Sequence, residues 1–346
     1  MDISDEYEIV EKISEGGEGE VFLARYIRTG RMFAMKVQTG DIRNIKNEAK
    51  ILGAINDRRI PYLIDFAHYE DKDILIMEYV KGMTLKQYVE ENKPDAEGAF
   101  KLFLKITELF SFLHSGSPGM IYRDIKPENI MITDDSDIKL VDMGAAVMSY
   151  GDAFVESGAG SRGYAAPECM NEKRIDASAD VYSLGVLLCF MLTGNDPSKP
   201  PFAPDVEGAI AACTNEAKRH MIKKCLSTDP SKRYSDASGL LSALKDAENK
   251  EYRKSVAEIF EDIRTFLSAF LSVDAVMFIL EQTESRVSLL PEYLSVFYKG
   301  NTGKTHILIL ALLMILILMS DAVSEHIGER RNFIISRDIN ILFTEK

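Results

Sequence analysis

The chain has little positive charge, little cysteine and little proline, and each shortage argues against a class of function. Lysine and arginine total 41 against 54 aspartates and glutamates, a formal net charge of −13. Holding a nucleic acid takes a basic stripe that displaces counterions, so no nucleic-acid partner is expected. The four cysteines, Cys169, Cys189, Cys213 and Cys225, form no C-x-x-C pair, and Cys189 sits inside the apolar run 186–190. That usage predicts buried, reduced thiols in a reducing compartment rather than a disulfide framework. With 11 prolines, 46% hydrophobic and 27% charged residues, the composition is that of a globular chain and not of a disordered or fibrous one. The histidines, His68, His114, His220, His306 and His326, lack metal-ligand spacing and read as surface or satisfied core residues. The first residues, Met1-Asp2-Ile3-Ser4-Asp5-Glu6, have neither the basic start nor the apolar stretch of a secretory leader, so the folded part is expected in the cytoplasm.

From Tyr7 to Glu78 apolar and polar residues alternate (Val21 and Leu23; Phe33, Met35 and Val37; Ile74 and Ile76), the period of half-buried antiparallel strands. One interruption, with Ile45, Ala49 and Leu52 at helical spacing, predicts a helix. From about Thr84 to Asp246 the period turns helical, with long segments at 99–114 and 179–192. The expected class is α+β: a small antiparallel sheet lobe with one helix over residues 1–80, then a larger, mainly helical lobe over 81–248. A helical linker over 249–305, an apolar segment over 306–323 and a short tail over 324–346 are expected to follow.

Several residues along this frame carry chemistry. Ser14-Glu15-Gly16-Gly17-Glu18-Gly19 lies between two predicted strands, and its glycines let backbone amides approach phosphate oxygens with no Cβ in the way. The next strand carries Lys36 among apolar neighbours, and the helix after it carries Glu48 on an inward edge. The apolar strand ending near Val80 runs into Lys81-Gly82, where it can present backbone groups to a flat base. Arg123-Asp124-Ile125-Lys126-Pro127-Glu128-Asn129 then puts an acid, a lysine and an amide on one loop, and a short hairpin ends at Asp142. Together they supply a base, a phosphate contact and oxygen ligands for a hard cation.

These motifs resemble the catalytic core of the Hanks-type protein kinase family, particularly its bacterial serine/threonine branch, over about Tyr7 to Leu244. The resemblance implies a bilobal protein-kinase-like fold and transfer of the ATP γ-phosphate to serine or threonine hydroxyls of protein substrates, with Mg2+ or Mn2+. It implies that Lys36 pairs with Glu48 and the phosphates, that Asp124 accepts the substrate hydroxyl proton, and that Asn129 and Asp142 hold the metal. Lys126 is the mark of serine/threonine specificity in that family. Ser14, Gly16, Gly17 and Gly19 cover the phosphates in this scheme. Val21, Ala34 and Met131 sandwich adenine, Met77 stands behind it, and the backbone from Glu78 to Val80 meets its edge. Glu168 is implied to pair with Arg233, and Asp180 to brace the catalytic loop. Arg123 is implied to hold a phosphorylated activation loop, with Ser157 the candidate phosphosite, Ser161 supporting Asp124, and a second copy the partner in trans-autophosphorylation.

The match has departures. Ser14 replaces the first glycine of the loop, the acids Glu15, Glu18 and Glu20 crowd it, Tyr122 replaces the histidine before Arg123, and Met143 replaces the phenylalanine after Asp142. The last two are read as packing positions that tolerate a swap of similar volume. Every ionic and proton-transferring residue is present, so an active enzyme is expected, with an inactive, membrane-attached pseudokinase scaffold as the alternative.

Ile307 to Met319 is an uninterrupted apolar run, shorter than the roughly 20 residues of a spanning helix. A helix apolar all round needs an apolar environment, and extension from Lys304 to Val323, with Lys304 snorkelling, approaches the span of a thin bilayer. A single membrane anchor is the expectation, and a buried or interfacial helix is the other reading. Gly303-Lys304-Thr305 imitates the end of a phosphate loop, but Tyr298 stands where that pattern needs its first glycine.

Overall fold

The structure, a computed structural model, describes residues 3–250 apart from 17–18, 39–41, 70, 150–154, 157–159, 172–173 and 214. The expected linker beyond residue 250, the apolar segment and the tail lie outside the described residues, as do Gly17, Glu18 and Ser157. Among the described residues no helix is long and apolar enough to cross a membrane.

After a single helical turn, α1 (Ile3–Glu6), the alternating segment forms β1 (Tyr7–Gly16), β2 (Gly19–Tyr26), β3 (Met32–Val37), β4 (Leu63–Tyr69) and β5 (Lys72–Glu78), with α2 (Ile42–Ala54) between β3 and β4. The five strands make one antiparallel sheet in the order β1-β2-β3-β5-β4. Opposed residues share a face of a sheet, and so do residues two apart on one strand. Val21 lies opposite Lys36, which lies opposite Leu75, while Leu23, Ala34 and Met77 form the neighbouring row. Register alone therefore puts Val21, Ala34, Lys36 and Met77 on one face. Ala34, Leu75 and Met77 pack there in one core with Ile45, Ala49 and Leu52 of α2. The opposite face carries its own cluster of Tyr7, Ala24, Phe33, Met35, Val37, Ile74 and Ile76. Both faces of β3 and β5 are covered, which is why those strands read as nearly continuous apolar runs.

The second part begins with β6 (Gly82–Thr84) and α3 (Leu85–Asn92), whose start is fixed by a capping box between Thr84 and Gln87. Asp95 caps α4 (Ala96–Ser115). Then come β7 (Gly119–Ile121), a 3-10 turn (Pro127–Asn129), β8 (Ile130–Thr133), β9 (Ile138–Leu140), β10 (Val147–Ser149), β11 (Val155–Glu156), α5 (Pro167–Asn171) and β12 (Arg174–Ile175). Asp176 caps α6 (Ala177–Thr193), and α7 (Val206–Ala212), α8 (Glu216–Cys225) and a helix over 237–250 complete the described chain. β6, β8 and β9 form one small sheet, and β7 pairs with β10 and β11 with β12. The helical period anticipated α4 and α6. It missed β6, β7 and β10 to β12, which are too short for a period of two to register.

α6 is buried nearly all round, from Ser178 to Met191, and forms the post against which α4, α7 and α8 pack. All four cysteines are free and buried. Burial, as expected from the sequence, pushes the Cys169 thiol up to about 11 and that of Cys189 to about 12, so both are poor thiolates.

Candidate active site

The inward face of the sheet meets α2 through an ion pair. Lys36 Nζ on β3 donates to Glu48 Oε2 at 2.8 Å and to Asp142 Oδ1 at 2.9 Å, which joins residues 106 apart in sequence. Glu48 is fully buried, and its second oxygen accepts the Met143 N–H at 3.0 Å. Burial alone would lower the Lys36 pKa, but Glu48 and Asp142 together hold it well above the ordinary lysine value. Burial likewise pushes Asp142 up. The Lys36 ammonium and the Gly144 N–H, at 3.2 Å, outweigh it and keep the carboxyl below its usual range. Glu48 is raised by burial against the pull of Lys36; with an ammonium on one oxygen and a backbone N–H on the other, the geometry serves its ionised form.

On the loop before the 3-10 turn, Asp124 collects donors from three sides. Oδ2 accepts from Lys126 Nζ at 2.6 Å and from Asn129 Nδ2 at 3.1 Å, and Oδ1 accepts from Ser161 Oγ at 2.7 Å. Lys126 also donates to Ser161 Oγ at 3.2 Å, so carboxylate, ammonium and hydroxyl form a closed triangle. The Val141 N–H bonds the Asn129 carbonyl at 2.8 Å, which ties the strand leading to Asp142 to the loop that holds Asp124. Asp142 and Asn129 offer oxygen donors of the kind a hard divalent ion takes. Among the described residues no group of three or more His, Cys, Asp or Glu side chains could hold a metal. A small oxygen set of this kind fits a cation that shares its ligands with phosphate oxygens.

Two residues of this site have left-handed backbone without being glycine: Arg123 at φ 70° and Asp142 at φ 66°. Such conformations cost of order 1 kcal/mol or more each and persist where the surroundings impose them. For Arg123 the constraint is Asp180, fully buried on α6, which accepts the Tyr122 N–H at 2.7 Å and the Arg123 N–H at 2.8 Å. His114 Nδ1 accepts the Ala237 N–H at 3.0 Å, so its proton sits on Nε2 and is donated to Asp180 Oδ2, also at 3.0 Å. For Asp142 the constraint is the Tyr122 hydroxyl, which donates to the Val141 and Asp142 carbonyls at 2.8 Å. The Tyr122 ring is buried edge-on against Phe110, and Met143 is buried too, so both fill packing positions as expected. The hydroxyl adds a polar role that the packing argument did not contain.

The other residues named from the sequence lie as follows. Val80 and Met77 are buried, and Val21 packs against the main core. Met131 lies opposite Lys139 on the β8–β9 hairpin, and Lys139 reaches both Glu78 carboxylate oxygens at 2.6 Å, which ties that hairpin to the end of β5. At the turn after β1, Ser14 pairs with Val21 and Gly16 with Gly19. Gly19 has φ 143°, and a Cβ there would stand 2.4 Å from the Val37 carbonyl oxygen, so only glycine fits. Lys12 pairs with both Glu15 and Glu20, so one positive charge is shared between two of the acids that crowd this loop. Glu168 and Arg233 form a buried two-pronged pair at 2.5 and 2.8 Å. Arg123 Nε donates to the Ala145 carbonyl at 2.6 Å.

The motif reading passed over Gln38, whose side-chain oxygen accepts the Ile45 N–H at 3.1 Å and secures the start of α2. It also passed over Asn47, whose amide donates to the Ala146 carbonyl at 2.8 Å, beside the Glu48 contact to Met143. A polar residue next to a conspicuous acid was the available signal for Asn47. Nothing local marked Gln38.

A family model described as protein kinase domain matches residues 7–252. The serine/threonine-protein kinase PknB of Mycolicibacterium smegmatis is 31% identical over 273 residues, which make up 70% of this chain and 43% of that protein. PknB of Mycobacterium tuberculosis is 30% identical over 296 residues, 77% of this chain and 46% of that protein. The serine/threonine-protein kinase PrkC of Bacillus subtilis is 30% identical over 266 residues, 71% of this chain and 41% of that protein. The chain thus spans less than half the length of these curated relatives. With a sheet-borne lysine paired to a helix acid, a loop acid held beside a lysine and an amide, and a domain match over most of its length, the chain belongs to the protein kinase domain family.

Proposed function

We propose that the chain is an ATP-dependent kinase that moves the γ-phosphate of ATP to serine or threonine hydroxyls of proteins. One observation carries this reading: Lys36 is bonded at once to Glu48 and Asp142, while Asp124 is held by Lys126, Asn129 and Ser161. The family uses ATP and a divalent metal in general terms. Here Asn129 and Asp142 are the residues to hold Mg2+, or Mn2+, which supplies charge neutralisation on the phosphates. Lys36 supplies fixed positive charge to the phosphates, and the turn from Ser14 to Gly19, including Gly16 and Gly17, covers them. Val21, Ala34 and Met131 line the adenine slot, Met77 closes its back, and the Glu78 to Val80 backbone meets the base edge. Asp124 accepts the acceptor hydroxyl's proton, with Lys126 beside it to steady the charge.

Arg123, already on the Ala145 carbonyl, is the anchor for a phosphorylated activation loop, and Ser157 is the candidate acceptor within it. A second copy of the chain is the natural partner for that transfer. The apolar run from Ile307 to Met319 supports a membrane tether.

Label transfer from γ-labelled ATP with Mg2+, to the chain itself and to a generic protein acceptor, tests the reading. Lys36→Met should lower the rate by about 10²-fold or more, the scale of removing one preorganised charge from a developing oxyanion. Equal labelling of the variant and the parent chain would reject the assignment of Lys36. Nucleotide binding without transfer would favour the scaffold alternative.

A further inference from the structure

Beside the proposed base, one lysine closes an acidic notch. Lys86, in the first turn of α3, places its ammonium 2.7 Å from Glu128 Oε1 and 3.0 Å from Asp196 Oδ2. Glu128 sits between Lys126 and Asn129, both of which bond Asp124. Asp196 is reached at 3.5 Å by the hydroxyl of Tyr164, three residues after Ser161, which also bonds Asp124. One wall of the notch, Glu128, thus belongs to the loop that grips Asp124, and the other, Asp196 in the loop after α6, is contacted by Tyr164 of the segment that carries Ser161. A peptide that offers its hydroxyl to Asp124 must pass close to it.

The notch is built to hold a cation. Asp196 Oδ1 accepts both the N–H and the hydroxyl of Ser198, at 2.9 and 2.7 Å, which fixes the carboxylate. Burial would push Asp196 up, but Ser198 and Lys86 outweigh it and keep the group ionised. A third acid, Glu90 on the same helix, lies close enough to join Asp196 and Glu128 in raising the already buried Tyr164 phenol. Two acids thus flank one ammonium, and Lys86 and Glu128 remain 26% and 39% exposed, so the notch opens to solvent on the Glu128 side. The Lys86–Glu128 contact, exposed on that side, contributes little to folding, while the contact to Asp196, only 3% exposed, is the buried half of the arrangement.

We propose that Lys86 is a specificity-determining residue: its ammonium fills the seat between Glu128 and Asp196 that a lysine or arginine of the protein substrate would otherwise take. The native chain then accepts its substrates without selecting a basic residue at that position. This inference rests on the kinase reading of the same site.

A positional-scanning peptide library, phosphorylated by native protein and by Lys86→Met, tests it; methionine keeps the apolar stem and removes the charge. The native protein should discriminate basic residues from alanine by less than about threefold at every position near the acceptor. Lys86→Met should acquire a preference of about tenfold for lysine or arginine at one position, the scale of a charge-assisted hydrogen bond, and Glu128→Gln in the Lys86→Met background should erase it. A native protein that already prefers a basic residue there, or a Lys86→Met profile identical to the native one, overturns the inference while the kinase reading stands. Failure of the native protein to label any peptide, or itself, overturns the kinase reading and this inference with it. Matching thermal melts of native and variant chains establish that the comparison is between folded proteins.

Discussion

Asp124→Asn lowers phosphate transfer by at least about 10²-fold, the contribution of a positioned general base, while the fold stays intact. The geometry explains why the two effects separate. Asparagine has the shape of aspartate, but one of its two polar atoms is an NH2 donor. Toward Lys126 and Asn129 that donor would face two other donors, whereas toward Ser161 it meets a hydroxyl that can rotate to accept. The amide therefore settles with its oxygen on the Lys126 side, and the loop keeps its bonds and loses its base. Asp180 holds the neighbouring backbone of Tyr122 and Arg123 in either case. Turnover measured beside a thermal melt checks this: loss of rate with an unchanged melting temperature is expected, and equal turnover of variant and parent contradicts the role given to Asp124.

The largest stability effect is expected away from the chemistry. Arg233→Ala or Glu168→Ala each costs about 3–5 kcal/mol of unfolding free energy, because each leaves its partner's charge buried and uncompensated. The Arg233 side chain is fully buried and that of Glu168 is 6% exposed. Arg233 also donates to the Ser227 carbonyl at 2.7 Å and to the Ser178 carbonyl at 3.1 Å, and lies over the Tyr182 ring. It thus ties the segment carrying α5 to the start of α6 and to the loop after α8. Replacing both partners by apolar residues, as in Glu168→Leu with Arg233→Met, removes both charges together and should cost less than either single change. Urea unfolding of the three variants decides. Single variants within about 1 kcal/mol of the parent would mean that the pair behaves like an exposed one.

How much of this was legible from residues alone varies with the physics of each contact. The ionic residues announced themselves because a charged side chain inside an apolar strand, or three polar side chains on one short loop, is an unusual local pattern. Lys36 and Asp124 are of that kind, and the fold brings Lys36 to Asp142 across most of the domain. The central strands were legible from their apolar runs, and α6 from its length. What stayed hidden are contacts whose two halves lie far apart and look ordinary separately. The His114 bond to Asp180, the Asn47 bond to Ala146 and the Tyr122 hydroxyl on the Asp142 carbonyl leave no trace in spacing or hydropathy. The sharing of Lys12 between Glu15 and Glu20 depends on the register and bulges of a hairpin, which residue type alone does not determine. Lys86 reads as a solvated helix lysine until the folded chain places two acids around it.

The most direct measurement is mass-spectrometric mapping of the chain and of a protein acceptor after incubation with ATP and Mg2+, alongside a count of the ADP formed. The account predicts phosphate esters on serine or threonine in step with ADP production, and their loss in Asp124→Asn. ATP that is bound but never consumed, with Mg2+ or Mn2+ and with any acceptor offered, would contradict it.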